Sequence, residues 1–101
     1  MDIIQNVQKK TFDITLSGAF TFNDNKAFRD IINQIETLDD LQKIIFRIDK
    51  LTFVDSAALG MLLLAYDAGD KTHKRIILKG PTGQVKKMLE LTHFQRLFII
   101  E

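Results

Sequence analysis

From Thr11 to Ser17 the chain alternates. Phe12, Ile14 and Leu16 interleave with Thr11, Asp13, Thr15 and Ser17, the period of a strand with one buried face. Ile3 to Lys9 also carries strand-forming residues, and the polar Gln8-Lys9-Lys10 suits a tight connection, so an antiparallel hairpin is predicted. The period then changes. After a helix start at Asn23-Asp24-Asn25, Phe28, Ile31, Ile32 and Ile35 recur at helical spacing to near Thr37. Lys43 to Ile48 is an apolar run of strand length, as a buried central strand requires. A second helix is predicted from Ser56 to near Gly69, and a strand at Arg75 to Leu78, broken by Gly80-Pro81. Val85, Met88, Leu89 and Thr92 mark a third helix, and Phe98-Ile99-Ile100 a closing strand. The order β-β-α-β-α-β-α-β predicts an α/β fold: a small, mixed, mostly parallel sheet flanked by helices, with right-handed crossovers. No repeat, linker or low-complexity tract divides the chain, so residues 1–101 are expected to form one domain.

Composition narrows the function classes. A hydrophobic content of 46% with one Pro supports a packed core rather than disorder. The absence of Cys removes disulfides, thiolate metal sites and cysteine nucleophiles together. The longest apolar run, Met61 to Tyr66, is too short to span a bilayer, and Met-Asp-Ile-Ile-Gln-Asn lacks the features of a signal peptide. A cytoplasmic protein without direct membrane insertion is expected, with a role beside a membrane complex still open. The net charge of +1 gives no reason to expect nucleic acid, and Lys71-Thr72-His73-Lys74-Arg75 and Lys86-Lys87 are basic spots without interleaved aromatics. Catalytic chemistry finds little footing. His73 and His93 lack ligand partners at a recognisable spacing and read as surface or boundary residues. Ser56 lacks a Gly-x-Ser-x-Gly elbow, and Gly80 to Lys87 fails the phosphate-loop pattern and reads as a turn feeding a helix. Asp39-Asp40 reads as a solvated loop. No enzyme activity, cofactor or metal is expected.

The segment Leu51-Thr52-Phe53-Val54-Asp55-Ser56-Ala57-Ala58-Leu59-Gly60 stands apart: an apolar strand ends in an acid and a hydroxyl, and a small-residue helix follows. Asp55 and Ser56 both suit a helix N-cap, where a side-chain oxygen accepts an unpaired amide. A serine there lies at the positive end of the helix dipole, where added negative charge is tolerated, which makes Ser56 a candidate phosphorylation site. In the plainer reading Ser56 only caps the helix.

At about 100° per residue, Ala58, Leu59, Leu62, Ala65 and Tyr66 form the natural core face of this helix. The opposite edge carries Ser56, Gly60, Leu63, Leu64 and Asp67, which combines a hydroxyl, a bare glycine backbone and two leucines. This strip suits a docking partner, with Gly60 allowing close approach, unless other elements of the fold cover Leu63 and Leu64. A phosphate on Ser56, with Asp55 beside it, would put uncompensated charge inside such an interface and switch binding off without refolding the domain.

The segment Leu51 to Gly60, set in this order of elements, resembles the signature of STAS domains, particularly the bacterial anti-sigma factor antagonists. The likeness also takes in the opening strands, Ser17-Gly18-Ala19-Phe20, the central strand and the region from Phe94 to Ile100. The resemblance implies that Ser56 accepts phosphate from an anti-sigma factor that is also a serine kinase, and that a metal-dependent serine phosphatase removes it. The unphosphorylated protein then binds the kinase and frees its client. Asp55 would shape the phosphorylation site, Gly60, Leu63, Leu64 and Asp67 would lie in the contact surface, and Asp24 would face the partner from its loop. Family members often carry Asp-Ser-Ser-Gly-Leu-Gly; here Ala57 and Ala58 replace the middle residues, leaving Ser56 as the single acceptor, with Thr52 read as structural. Family members often carry an acid just after the Gly18 turn; here that segment reads Ala19-Phe20-Thr21-Phe22-Asn23-Asp24. The alternative is a STAS subunit of a lipid-trafficking ABC transporter, docked constitutively and never modified.

Overall fold

Strand β1 (Asp2–Gln8) runs into β2 (Thr11–Phe20) through Lys9 and Lys10, whose φ angles of 56° and 87° give the backbone twist that closes a two-residue hairpin. The computed structural model describes residues 1–101. Helix α1 (Asn25–Thr37), strand β3 (Lys43–Val54), helix α2 (Ser56–Lys71), strand β4 (Arg75–Lys79), helix α3 (Gly83–Leu91) and strand β5 (Ile99–Ile100) follow, with short 3-10 turns at Phe22–Asp24 and Phe94–Arg96. The sheet order is β1-β2-β3-β4-β5; only the β1–β2 pairing is antiparallel.

Each strand–helix–strand step moves one place in the same direction across the sheet. Right-handed crossovers therefore lay all three helices on a single face. The rows Phe12–Ile44–Ile76 and Ile14–Phe46–Leu78 line that face. They join Phe28, Ile31 and Ile35 of α1, Ala58, Leu59, Leu62 and Ala65 of α2, and Val85 and Leu89 of α3 in one cluster of 25 buried residues. Phe20, Phe28 and Phe46 stack in a chain, with ring centroids 4.9 and 5.6 Å apart.

The other face of the sheet carries no helix. Asn6, Asp13, Ile45, Ile77 and Ile99 form one row across it, and Ile77 is buried there outside the main core. The Asp13 carboxylate accepts two near-parallel bonds from Arg47, Nε to Oδ1 and Nη2 to Oδ2, each 2.9 Å. Hydrogen bonding to Asp13, then the Asp13 charge, holds the Arg47 guanidinium above its ordinary pKa.

Strand β3 continues six residues past the predicted Ile48. Alternation holds from Ile44 to Ile48, then Asp49 and Lys50 are both exposed, and this slip makes one strand read as two pieces. Beside it β2 shifts register between Thr15 and Ser17 and again between Gly18 and Ala19, where Gly18 takes a φ of 85°. Both histidines prove to be exposed helix terminators. His73 follows α2 and His93 follows α3, each at φ 60° in the left-handed conformation that more often holds glycine. Lys74, the single buried polar residue, donates its ammonium to the Ile35 carbonyl in the last turn of α1, the negative end of that helix. No helix is long and apolar enough to cross a membrane.

Candidate functional site

At the carboxyl end of β3 the backbone leaves the sheet and α2 begins. Asp55 holds the corner. Its extended backbone (φ −101°, ψ −179°) is that of an N-cap residue, and Oδ1 accepts from the Ala58 amide at 2.8 Å. Oδ2 accepts from the Phe22 amide at 3.1 Å, and the Asp55 amide donates to the Phe20 carbonyl at 3.3 Å. One carboxylate thus caps α2 and ties it to the loop after β2.

Because Asp55 takes the cap, Ser56 is the first helical residue, not the capping group. Its side chain is exposed, and its hydroxyl bonds to no protein group. The amides of Ser56 and Ala57 have no acceptor earlier in the helix and stay available beside that hydroxyl. The arrangement leaves a free nucleophilic oxygen at the positive end of a 16-residue helix, where an incoming phosphate is electrostatically favoured.

Two supports for this corner come from distant sequence, and only the second has a local signal, the Thr21-x-x-Asp24 spacing of a capping box. β4 pairs with β3 only from Lys43 to Arg47, so the upper part of β3 has no strand on that side. Gln84 of α3 fills one missing rung: Oε1 accepts from the Val54 amide and Nε2 donates to the Val54 carbonyl, both at 3.0 Å. Asp24 is the other support. Its Oδ2 accepts from the Thr21 amide at 2.9 Å, and Oδ1 lies 3.3 Å from the Met1 ammonium. It closes a capping box with Thr21, so the carboxylate expected to face a partner is engaged within the fold.

Whether the edge of α2 opposite its core face is covered, a point the sequence leaves open, is decided by the fold in favour of exposure. Ser56, Gly60, Leu63, Leu64 and Asp67 are all open to solvent, with Leu63 38% and Leu64 45% exposed. No other element covers the two leucines. A Cβ added at Gly60 would meet no atom within 4 Å, so packing does not require glycine there. The core face differs from expectation in two places: Met61 is buried, and Tyr66 is only partly buried, its ring edge-on to Phe98 at 5.3 Å.

Two exposed aromatics lie close to the corner in the chain, Phe53 on the helix-free face of the sheet. Phe22, 67% exposed, sits in the loop bonded to Asp55, and Phe53, 43% exposed, lies two residues before that acid. Neither is marked in the sequence as a site residue, because nothing local to a phenylalanine tells whether the assembled fold covers it. Farther along α2, Leu64 and Asp67 border a groove against α1 of about 370 Å³, whose other wall includes Arg29, Ile32 and Glu36. Thr52 lies within β3, on the strand side of the corner as expected, with an exposed side chain.

This architecture matches known proteins. A STAS-domain containing protein of Pseudomonas aeruginosa (strain UCBPP-PA14) is 31% identical over 87 residues, covering 86% of this chain and 84% of that protein. Among solved structures, the unphosphorylated anti-sigma factor antagonist SpoIIAA superposes with a TM-score of 0.80 at 22% identity, over 99% of this chain and 87% of that one. The phosphorylated form of the Bacillus cell fate determinant SpoIIAA gives 0.77 at 20% identity, over 99% and 91%. At these identities the structural likeness establishes the fold. The model of the STAS domain matches residues 2–101, and with the Pseudomonas relative it places this chain in the STAS domain family.

Proposed function

We propose that this protein is a phosphorylation-controlled anti-sigma factor antagonist of the cytoplasm. Its unphosphorylated form binds an anti-sigma factor with serine kinase activity and frees that factor's client; phosphate on Ser56 blocks the complex, and a serine phosphatase restores it. The observation that carries this reading is the division of labour at the corner. Asp55 does the capping, which leaves the Ser56 hydroxyl exposed and unbonded beside an apolar strip of Gly60, Leu63 and Leu64. The chain supplies the acceptor and the surface, and the partner supplies the chemistry.

The electrostatics favour a switch by obstruction. A phosphoserine carries a charge of about −2 at neutral pH, and the Asp55 carboxylate adjoins it. On its own helix that charge is stabilised by the dipole and the free amides. Inside an apolar interface it costs several kcal/mol, and each 1.4 kcal/mol is about tenfold in affinity. Asp24, tied down through Thr21, holds the loop that presents Phe22 to the same partner.

The first test is intact-mass and peptide analysis of the protein from its native cells with phosphatases inhibited. A single phosphate on Ser56, lost in Ser56→Ala, is expected. Ser56→Ala should keep kinase binding, and Ser56→Asp should weaken it by more than about tenfold. An unmodified Ser56 across growth and stress conditions, with Ser56→Asp binding as tightly as wild type, overturns the switch. That result would favour constitutive docking of the same strip on a transporter ATPase.

A further inference from the structure

We propose that the opposite end of the sheet from Ser56 holds a second site, one that binds a small multivalent anion of the phosphate type. A cavity of about 550 Å³ opens there, lined by Lys10, Thr11, Gln42, Lys43, His73 and Arg75. Three permanent cations, an imidazole, a hydroxyl and a carboxamide face it, and no acid or apolar side chain does. None of these side chains forms an ion pair or a hydrogen bond within the protein, unlike Arg47 with Asp13 and Lys71 with Glu36. Lys10 also borders a neighbouring depression with Asp39 and Asp40, and pairs with neither.

The fold brings these groups together from three separate segments and fixes them. The Gln42 and Lys43 amides both donate to the Lys10 carbonyl, at 2.9 and 3.2 Å, and the Arg75 amide donates to the Gln42 carbonyl at 3.0 Å. Thr11, Lys43 and Arg75 are register partners on adjacent strands, so they project from the helix-free face side by side, strands about 4.8 Å apart. Two of the remaining positions, Lys10 and His73, hold positive φ angles of 87° and 60°. Those angles belong to the β1–β2 hairpin turn and to the end of α2, so the two turns place both basic side chains at the same cavity. Gathering like charges without a counter-charge opposes folding, so packing and stability give no reason for the cluster.

The lining also selects the ligand. With no aromatic or aliphatic wall there is nothing to hold a nucleobase or an acyl chain. Several acceptor oxygens on a compact, doubly charged group would satisfy the lysines, the arginine and the neutral donors at once. That chemistry is offered by a soluble phosphate compound or by a lipid headgroup phosphate.

The test is a ¹⁵N-¹H NMR titration with inorganic pyrophosphate. Saturable shifts confined to the loops around Lys10, Gln42 and His73, with a dissociation constant of about 1 mM or tighter, are expected. Lys43→Glu/Arg75→Glu should weaken binding more than about tenfold, whereas Lys86→Glu/Lys87→Glu on α3 should leave it unchanged. If the charge-reversed variant fails to fold, Lys43→Gln/Arg75→Gln carries the comparison. Absence of saturable shifts, equal shifts at Lys86 and Lys87, or unchanged affinity in the substituted protein overturns the site. A parallel sedimentation assay with phosphatidylglycerol vesicles separates the sources. Pyrophosphate binding alone assigns a soluble ligand, and vesicle binding that the same substitutions abolish adds the headgroup. Vesicle binding without pyrophosphate binding refutes a phosphate site.

Discussion

On α2 two glycines nine positions apart sit in opposite surroundings. A Cβ on Gly69 would lie 2.6 Å from Ile76 Cδ1 and 3.2 Å from the Lys74 carbonyl, because β4 begins close against the end of the helix. A Cβ on Gly60 would touch nothing. Glycine at an exposed position inside a helix costs about 1 kcal/mol relative to alanine, and at Gly60 no contact within the domain offsets that cost. The same contrast runs along the whole helix. Ala58, Leu62 and Ala65 are leucines and alanines that the core consumes, while Leu63 and Leu64 are leucines that the fold leaves in water. A residue type alone therefore says little about its task. The question is which face needs it, and only one face of α2 is explained by folding.

The sharpest test of that contrast lies on the buried side. Leu62→Ala removes a side chain that is 1% exposed and should destabilise the domain by about 2–5 kcal/mol in chemical denaturation. Gly69→Ala follows at about 1–3 kcal/mol, because Ile76 can swing away but the Lys74 carbonyl cannot. On the exposed side the sign reverses. Gly60→Ala should stabilise by about 1 kcal/mol, seen as a raised urea midpoint, while weakening capture of the proposed kinase partner. A destabilised Gly60→Ala would mean that the glycine serves the fold after all. The smallest stability effect belongs to Leu63→Lys with Leu64→Lys, within about 0.5 kcal/mol of wild type by thermal denaturation. The same double substitution should abolish partner binding in a pull-down. A complex that survives it would remove the strip from the interface.

Much of the fold was legible because the periodicities are clean. Phe12, Ile14 and Leu16 announce a strand, and Phe28, Ile31 and Ile35 a helix, since one face of each must be buried. The site was partly legible for a different reason. Strand-end acid, hydroxyl and small-residue helix are contiguous, so local capping chemistry shows in the sequence at Asp55-Ser56. Which of the two side chains caps was not decided locally, since both are competent. Asp55 wins because its second oxygen also reaches the Phe22 amide, a contact 33 residues away. Phe53 and Phe22 carry no local mark of their exposure, which is a property of the assembled sheet and loop, not of residue type.

The sequence by itself determined the strand and helix periods, the α/β class that follows from their order, and the presence of a serine at a helix start. These are local matters, settled by residues within a few positions of one another. Tertiary structure alone decided that all three helices share one face and that Gln84 completes the edge of β3 at Val54. It also decided that the Asp55 carboxylate reaches the Phe22 amide, and that Lys10, Lys43, His73 and Arg75 meet in one cavity. Each of those depends on which strands become neighbours and in what register, and that is set by burying the shared core rather than by any segment on its own.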